Sequence, residues 1–251
     1  MKIVILAGGQ GTRLSEYTKI IPKPMVKVNN KPILFHITDL YKKYGFKEFI
    51  IATGYKGEYI EKFFKQSKNF IELGNQSLKN KELLFEEKKT STTFLLVKTG
   101  LKTMTGGRIK RLYHHLQNDT FMLTYGDGVC DVNIKKLLNF HKKNKKLVTV
   151  TAVRPPSRFG ALKFGTKNNT VIGFEEKTSF FDSWINGGYF VIEPSFLKYF
   201  KSDTTYLERE PLKIVTKIKQ LVAFKHKGFW QCMDTIRDKK KLELFYKTKK
   251  K

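Results

Sequence analysis

Apolar positions follow two rhythms along this 251-residue chain. Short unbroken runs of β-branched, aromatic and other apolar residues predict buried strands at Lys2–Ala7, Glu48–Thr53, Phe94–Lys98, Phe121–Tyr125 and Leu147–Val153. Between them, stretches with apolar residues three and four apart predict helices at Pro32–Tyr44, Gly57–Phe64, Ile109–Leu116 and Asn133–Lys143. Strands that alternate with helices and stay apolar on both faces form a largely parallel sheet covered on both sides. Ligands of such sheets lie beyond the carboxyl ends of the strands. The glycines after the first strand, Thr53-Gly54-Tyr55-Lys56-Gly57 and Tyr125-Gly126-Asp127-Gly128 all fall there.

After about Arg154 the texture changes. Strands are expected at Thr170–Glu175, Gly188–Ile192 and Leu221–Lys225, with helices near Ser195–Phe200, Leu207–Lys219 and Arg237–Tyr246. No linker sets this half apart, so residues 1–153 read as a core and 154–251 as a lobe of the same single domain. Lys65–Thr93 is polar and weakly periodic, and reads as an irregular excursion or an oligomer contact.

Composition narrows the class. An apolar fraction of 40% suits a globular protein. No apolar run approaches the roughly 20 residues of a membrane helix, and the first strand leads into glycines rather than a cleavage site, so a cytoplasmic protein without a membrane partner is expected. The net charge of +27 would attract polyanions. Only seven of the 49 basic residues are arginine, however, and the lysines spread from end to end, which argues for a solvated surface and against a nucleic-acid stripe.

The first candidate chemistry is LAGGQGTRL, Leu6–Leu14. Bare backbone amides after a strand can cradle phosphate oxygens; a tight turn is the other reading of the glycines alone. Arg13 follows Gly11-Thr12 where a P-loop needs Lys-Ser/Thr, and the third glycine of a dinucleotide fingerprint is missing. Arg13 and Lys23 add the positive charge that a triphosphate requires. Asp127, in a Gly-Asp-Gly turn, is either a turn former or a Mg²⁺ ligand at a strand end. Asp234 is a second carboxylate, too distant in the chain to place by spacing. His36, His114, His115, His141 and His226 are scattered and read as surface or packing residues.

With these residues in view, the sequence resembles the sugar-1-phosphate nucleotidyltransferases. LAGGQGTRL followed by Pro22-Lys23-Pro24-Met25 is similar to that family's signature. KPILFHI (Lys31–Ile37), GYKG (Gly54–Gly57), TMTGGRIKR (Thr103–Arg111), TYGDGVCDVNI (Thr124–Ile134), PPSRFGAL (Pro155–Leu162), INGGYFV (Ile185–Val191), EREPL (Glu208–Leu212) and GFWQCMDTIRDK (Gly228–Lys239) extend the resemblance to nearly the whole chain, except Lys65–Thr93 and the extreme tail. These later motifs look like those of members that join CTP to glucose 1-phosphate.

The resemblance implies a Rossmann-like mixed, mostly parallel α/β sheet flanked by helices, the nucleotide-diphospho-sugar transferase fold, with a smaller sugar-binding lobe. It implies that Leu6, Ala7, Gly8, Gly9, Gln10, Gly11, Thr12 and Arg13 wrap the nucleotide phosphates with Lys23 and Gly126. Thr103, Thr105, Gly106 and Arg108 would line the base pocket, with the Arg108 guanidinium donating to cytosine O2. Glu176, Lys177, Asn186, Gly187 and Gly188 would hold the sugar phosphate, and Asp127 and Asp234 would hold Mg²⁺. Arg13, Lys23 and Asp127 would be catalytic, and a homo-oligomer, a hexamer, is implied.

The chemistry agrees with that assignment, because a sugar-phosphate oxygen is already an anion and needs no general base. What remains is to bring two anions together in line, with Lys23, Arg13, Lys177 and Mg²⁺ offsetting the repulsion. Lys23→Ala and Asp127→Ala are each expected to cut turnover by orders of magnitude and leave the fold intact. A uridylyl-, thymidylyl- or mannose-1-phosphate nucleotidyltransferase is the alternative, and a non-catalytic nucleotide- or nucleic-acid-binding protein a further one. Thr178 after Glu-Lys, where proline is expected, and Cys130 and Cys232, where alanine and proline are expected, depart from the family pattern.

Overall fold

The structure, a computed structural model, describes residues 1–74, 82–155, 161–165, 170–175 and 184–248. The chain starts with β1 (Lys2–Ala7), the glycine loop, one turn of α1 (Ser15–Thr18), the two-residue strands β2 (Lys27–Val28) and β3 (Lys31–Pro32), and α2 (Ile33–Lys42). Next come β4 (Glu48–Thr53), α3 (Gly57–Gln66), β5 (Phe70–Leu73), β6 (Glu82–Glu87), β7 (Thr92–Lys98), α4 (Thr105–Arg111), α5 (Tyr113–Leu116), β8 (Phe121–Tyr125), β9 (Gly128–Cys130) and α6 (Ile134–Asn144). The second half adds β10 (Val148–Val153), β11 (Ala161–Phe164), β12 (Val171–Glu175), β13 (Ile185–Ile192), α7 (Glu210–Lys217), β14 (Leu221–His226), β15 (Trp230–Cys232) and α8 (Ile236–Thr248).

Nine strands share one sheet in the order β14-β10-β13-β8-β1-β4-β7-β6-β5. β1 lies inside it, parallel to β4 on one side and to β8 on the other. The chain leaves β1 toward one edge and later returns to the other side, so a crevice opens at the carboxyl ends of these three strands. Both faces of β1 are covered. Ile3, Ile5 and Ala7 join one buried cluster with α2 and α3, while Val4 and Leu6 join a second with α4 and α5, the two-residue alternation of a strand.

β13 runs antiparallel to β8 and β10, and β6 runs antiparallel to β7 and β5, which makes the sheet mixed. The described parts of Lys65–Thr93 are therefore not an irregular excursion; β5 and β6 extend the sheet. Phe85 of β6 is buried with its ring 5.2 Å from that of Phe64. One inward aromatic among glutamates was too thin a pattern to reveal a strand next to the sheet's edge.

The helix expected at Ile109–Leu116 starts earlier, at Thr105, and is interrupted at Leu112. The reason lies at Gly106 and Gly107. A Cβ on Gly107 would sit 2.3 Å from the Asp203 carbonyl oxygen, and one on Gly106 would sit 2.9 Å from Phe200. Here glycine serves close packing, which outweighs its poor helix propensity. Among the described residues, no helix is long and apolar enough to cross a membrane.

Candidate functional site

A cleft of about 600 Å³ opens at the ends of β1 and β8. Its floor is the glycine loop, whose glycines do three different things. Gly11 adopts φ +64, and its carbonyl accepts from Leu14 N at 2.9 Å and Thr18 Oγ1 at 3.0 Å, which turns the chain into the first short helix. Gly9 faces open space, with nothing near the position of a Cβ. Among the described residues, none accepts from the N–H groups of Gly9, Gln10 and Gly11, so this edge of the loop is free to donate to an anion.

At Gly8 the neighbour is protein. A Cβ there would lie 2.2 Å from Arg108 Nη1, and one on Gly54 would lie 2.4 Å from the same atom. The guanidinium of Arg108, 4% exposed, fills the space between the two loops. Its Nη1 donates to Thr53 O (3.1 Å), Thr99 Oγ1 (2.7 Å) and Gly100 O (2.8 Å), and its Nη2 donates to Gly8 O (2.9 Å). Tyr55 N also donates to Gly8 O, at 3.1 Å. Burial, and then the charge of Arg111, lower the Arg108 pKa to about 10, so it stays a cation at neutral pH. Its bonded acceptors are all neutral, which leaves a positive charge under the glycine loop.

The cleft wall carries a chain of opposite charges. Lys23 Nζ, in the Lys23–Met25 turn, donates to Asp127 Oδ2 at 2.6 Å and to Asp234 Oδ1 at 2.7 Å. Arg13 Nη1 donates to the other Asp234 oxygen at 2.6 Å. A two-stranded ribbon makes this meeting possible. β15 pairs with β9 so that Cys232 faces Gly128, and Met233 N donates to Asp127 O at 2.9 Å. Asp238, buried at the start of α8, accepts from the backbone N–H of Asp234 (3.3 Å) and Thr235 (3.0 Å) and holds that turn. Thr235 Oγ1 in turn accepts from Asp238 N, capping the helix.

These contacts set the titration of the network. For Lys23, burial lowers the pKa, but the Asp127 charge and the hydrogen bonds to both aspartates outweigh it, and the net shift is upward. For Asp234, burial raises the pKa, but the hydrogen bond and charge of Lys23 and the charge of Arg13 outweigh it, and the net shift is downward. A depressed carboxylate stabilises the fold above its unfolded value near 3.8 and loses that contribution as pH falls through the folded value. The raised lysine contributes below about 10.5 and loses its share as pH climbs past its folded value. Thermal denaturation as a function of pH should therefore show an acid limb below about pH 4 that is shallower in Asp234→Asn. An unchanged acid limb would remove Asp234 from the stability balance.

The far side of the cleft is formed by Asn186, Gly187 and Gly188 on β13, which line it as expected. Trp230 Nε1 donates to Gly187 O at 2.7 Å. Glu208 joins the two walls: it accepts from Thr105 Oγ1 at 2.7 Å and from the Tyr125 hydroxyl. Burial and the Glu208 charge push the Tyr125 phenol well above its ordinary range, so it remains a donor.

Of the residues expected to bind nucleotide, Leu6, Ala7, Gly8, Gly9, Gly11, Thr12, Arg13, Lys23, Thr103, Thr105, Arg108 and Gly126 line this cleft, as do Asp127 and Asp234. Two do not: Gln10 is exposed outside it, and Gly106 packs against Phe200 and Thr205 for the steric reason given above. Arg108 is corrected in role: its guanidinium is held by four protein acceptors rather than presented free to a base. Glu176 and Lys177 lie outside the described residues. Tyr206, Glu208, Trp230 and Cys232 line the cleft without having been assigned roles there from sequence. Each arrives through tertiary contact, and only the EREPL and GFWQCMDTIRDK motifs marked their neighbourhoods.

The donor chemistry suits a hard divalent cation. Asp127 and Asp234 bring one carboxylate oxygen each to within 4.8 Å of the other and of Cys232 Sγ. Mg²⁺ is typically held by one or two carboxylates, with phosphate and water filling the remaining positions. Burial, and then the Asp127 charge, push the Cys232 thiol up, so it stands as a neutral neighbour while Lys23 neutralises the carboxylates.

A sheet crevice with a glycine loop and two carboxylates joined by a buried lysine and an exposed arginine is the arrangement of a nucleotidyl-transferring protein. The chain belongs to the nucleotidyl transferase family, whose model matches residues 2–236. Within it, the chain is 44% identical over 247 residues to the glucose-1-phosphate cytidylyltransferase of Salmonella typhimurium, covering 97% of this chain and 95% of the relative. It is 40% identical over 242 residues to the probable glucose-1-phosphate cytidylyltransferase of Bacillus subtilis, covering 95% and 93%. The fold is that of a solved glucose-1-phosphate thymidylyltransferase homologue from Bacillus anthracis, with a TM-score of 0.70, 20% identity, and 98% and 94% of the two chains covered. Nucleotidyltransferases of this family generally use a divalent metal.

Proposed function

We infer that the protein transfers CMP from CTP to glucose 1-phosphate, giving CDP-glucose and pyrophosphate, with Mg²⁺ as its metal. The observation that carries this reading is the position of Lys23, buried between Asp127 and Asp234 at the mouth of the glycine loop. A binding protein has no need of a cation so placed, whereas a phosphoryl transfer needs charge on the leaving and attacking sides of one phosphorus.

In this reading the N–H groups of Gly9 and Gly11 receive the β- and γ-phosphates, and the buried Arg108 charge adds to their attraction from below. Arg13 and Lys23 face the α-phosphate. The glucose 1-phosphate oxygen forms a bond to the α-phosphorus as the bond to pyrophosphate breaks, and the negative charge moves to the pyrophosphate oxygen. Lys23 can exchange its carboxylate partners for that developing charge; Asp127 and Asp234 would hold Mg²⁺, which would screen the phosphates. Asn186, Gly187 and Gly188 hold the sugar side, with Glu176 and Lys177 assigned to the same task by resemblance. Arg108 and Asp238 are positioning residues.

The choice of CTP rests on the similarity of nearly the whole chain to cytidylyltransferases, and no longer on a free Arg108. One domain, with residues 1–153 as the nucleotide-binding core and 154–251 as the sugar-binding part, belongs to the same reading, as do a cytoplasmic location and a homohexamer. Pyrophosphate release with glucose 1-phosphate and Mg²⁺ tests it, with CTP, UTP, dTTP, ATP and GTP supplied one at a time. CTP alone is expected to give strong release. Release with a different nucleotide would overturn the base assignment, and none with any of the five would overturn glucose 1-phosphate as acceptor.

A further inference from the structure

The sequence holds two cysteines, Cys130 and Cys232, and one of them stands inside the ion network. Cys232 ends β15, and Asp234 follows two residues later. That spacing in extended chain sends both side chains to one side, and both line the cleft. The β9–β15 pairing sets Cys232 opposite Gly128, next to Asp127. The result is a triad of donors, Cys232 Sγ and one oxygen from each aspartate, all within 4.8 Å of one another.

Mg²⁺ takes oxygen ligands and has no use for sulfur. Thiolate ligands favour Zn²⁺ and softer cations, and a three-ligand site leaves a coordination position for water or substrate. We propose that Cys232 completes, with Asp127 and Asp234, an O,O,S donor set that holds a thiophilic divalent cation such as Zn²⁺, Co²⁺ or Cd²⁺ where the reading above puts Mg²⁺. This rests on that reading's assignment of the two aspartates. Binding forms a sulfur–metal bond, releases the thiol proton to solvent, and displaces Lys23 Nζ from the carboxylates. Thiophilic cations then compete with Mg²⁺ for the same oxygens and hold on through a ligand that Mg²⁺ does not use.

The other cluster with such donors, Cys130, Asp131 and His226, supplies the control. Its donor atoms also lie within 4.8 Å of one another, but it stands outside the cleft and does not share the two aspartates.

The test is titration of the full-length protein with Co²⁺ alone, followed by the sulfur-to-cobalt charge-transfer absorption. The band is expected in the wild type and in Cys130→Ala and to be bleached by excess Mg²⁺. It should be absent in Cys232→Ala and Cys232→Ser, with Co²⁺ affinity about tenfold or more weaker. Circular dichroism confirms that the variants fold, and the serine variant keeps the side chain's size. No band in the wild type, or a band that survives both Cys232 replacements, overturns the proposal; if it also vanishes in Cys130→Ala, the ion sits at Cys130, Asp131 and His226. Mn²⁺ binding, competed by Mg²⁺ and lost in Asp127→Asn, tests the two-aspartate reading separately. If Mn²⁺ binds so but no cobalt–sulfur band forms, that reading stands and Cys232 is removed from it.

Discussion

Lys23→Met should lower turnover with CTP by about a thousandfold, the range seen when a preorganised charge at a transferring phosphoryl group is lost. The side chain keeps its length, so the change isolates the ammonium. The structure alters the sequence-based expectation that removing Lys23 leaves the fold untouched. The lysine side chain is 8% exposed and holds two carboxylates; without it, Asp127 and Asp234 face each other and only Asp234 keeps a cationic partner, Arg13. Breaking a buried pair in this way costs about 3–5 kcal/mol, reduced here because Asp127 is partly exposed. The melting temperature should therefore fall along with the rate, and added Mg²⁺ should restore more of it in the variant than in the wild type. Near-normal turnover of a folded Lys23→Met protein would remove the residue from the mechanism.

The second large effect is expected from a single methyl group. Gly8→Ala places a carbon 2.2 Å from Arg108 Nη1, closer than any contact tolerates, and the guanidinium must leave its seat. Its four acceptors then lose their donor, and hydrogen bonds to a charged group are worth about 1.5–3 kcal/mol each. A loss of about 3 kcal/mol or more is expected, together with a large rise in KM for the nucleotide because the loop's carbonyl is no longer fixed. Since one event underlies both losses, Arg108→Ala should do similar damage, and the double variant should be little worse than the poorer single one. Additive losses in chemical denaturation would show that Gly8 and Arg108 act independently. Arg108→Lys should fail to rescue the loop, because an ammonium cannot span the acceptors that a planar fork reaches.

Legibility from sequence was uneven for physical reasons. β1, β4 and β8 were placed to the residue because strands buried on both faces are apolar throughout and end at glycines. β5 and β6 were lost because the edge strand of a sheet and its neighbour bury little. The glycine loop and Lys23 were readable because their spacing is local. Asp234 was named as a second carboxylate but could not be placed by spacing, since its meeting with Asp127 depends on a three-residue ribbon that no periodicity announces. Arg108 was found as a residue and misread as a contact. The glycines at positions 8 and 54 carry its signature, but a missing side chain does not say what fills the space it leaves.

The same ribbon fixes when the ion network can form. Asp234 lies 221 and 211 residues along the chain from its partners Arg13 and Lys23. Pairings so distant close late in folding, because loop-closure entropy is lost before any contact offsets it. The four charges therefore meet only once β9 and β15 have paired, and until then the cleft has its loop without its ion network.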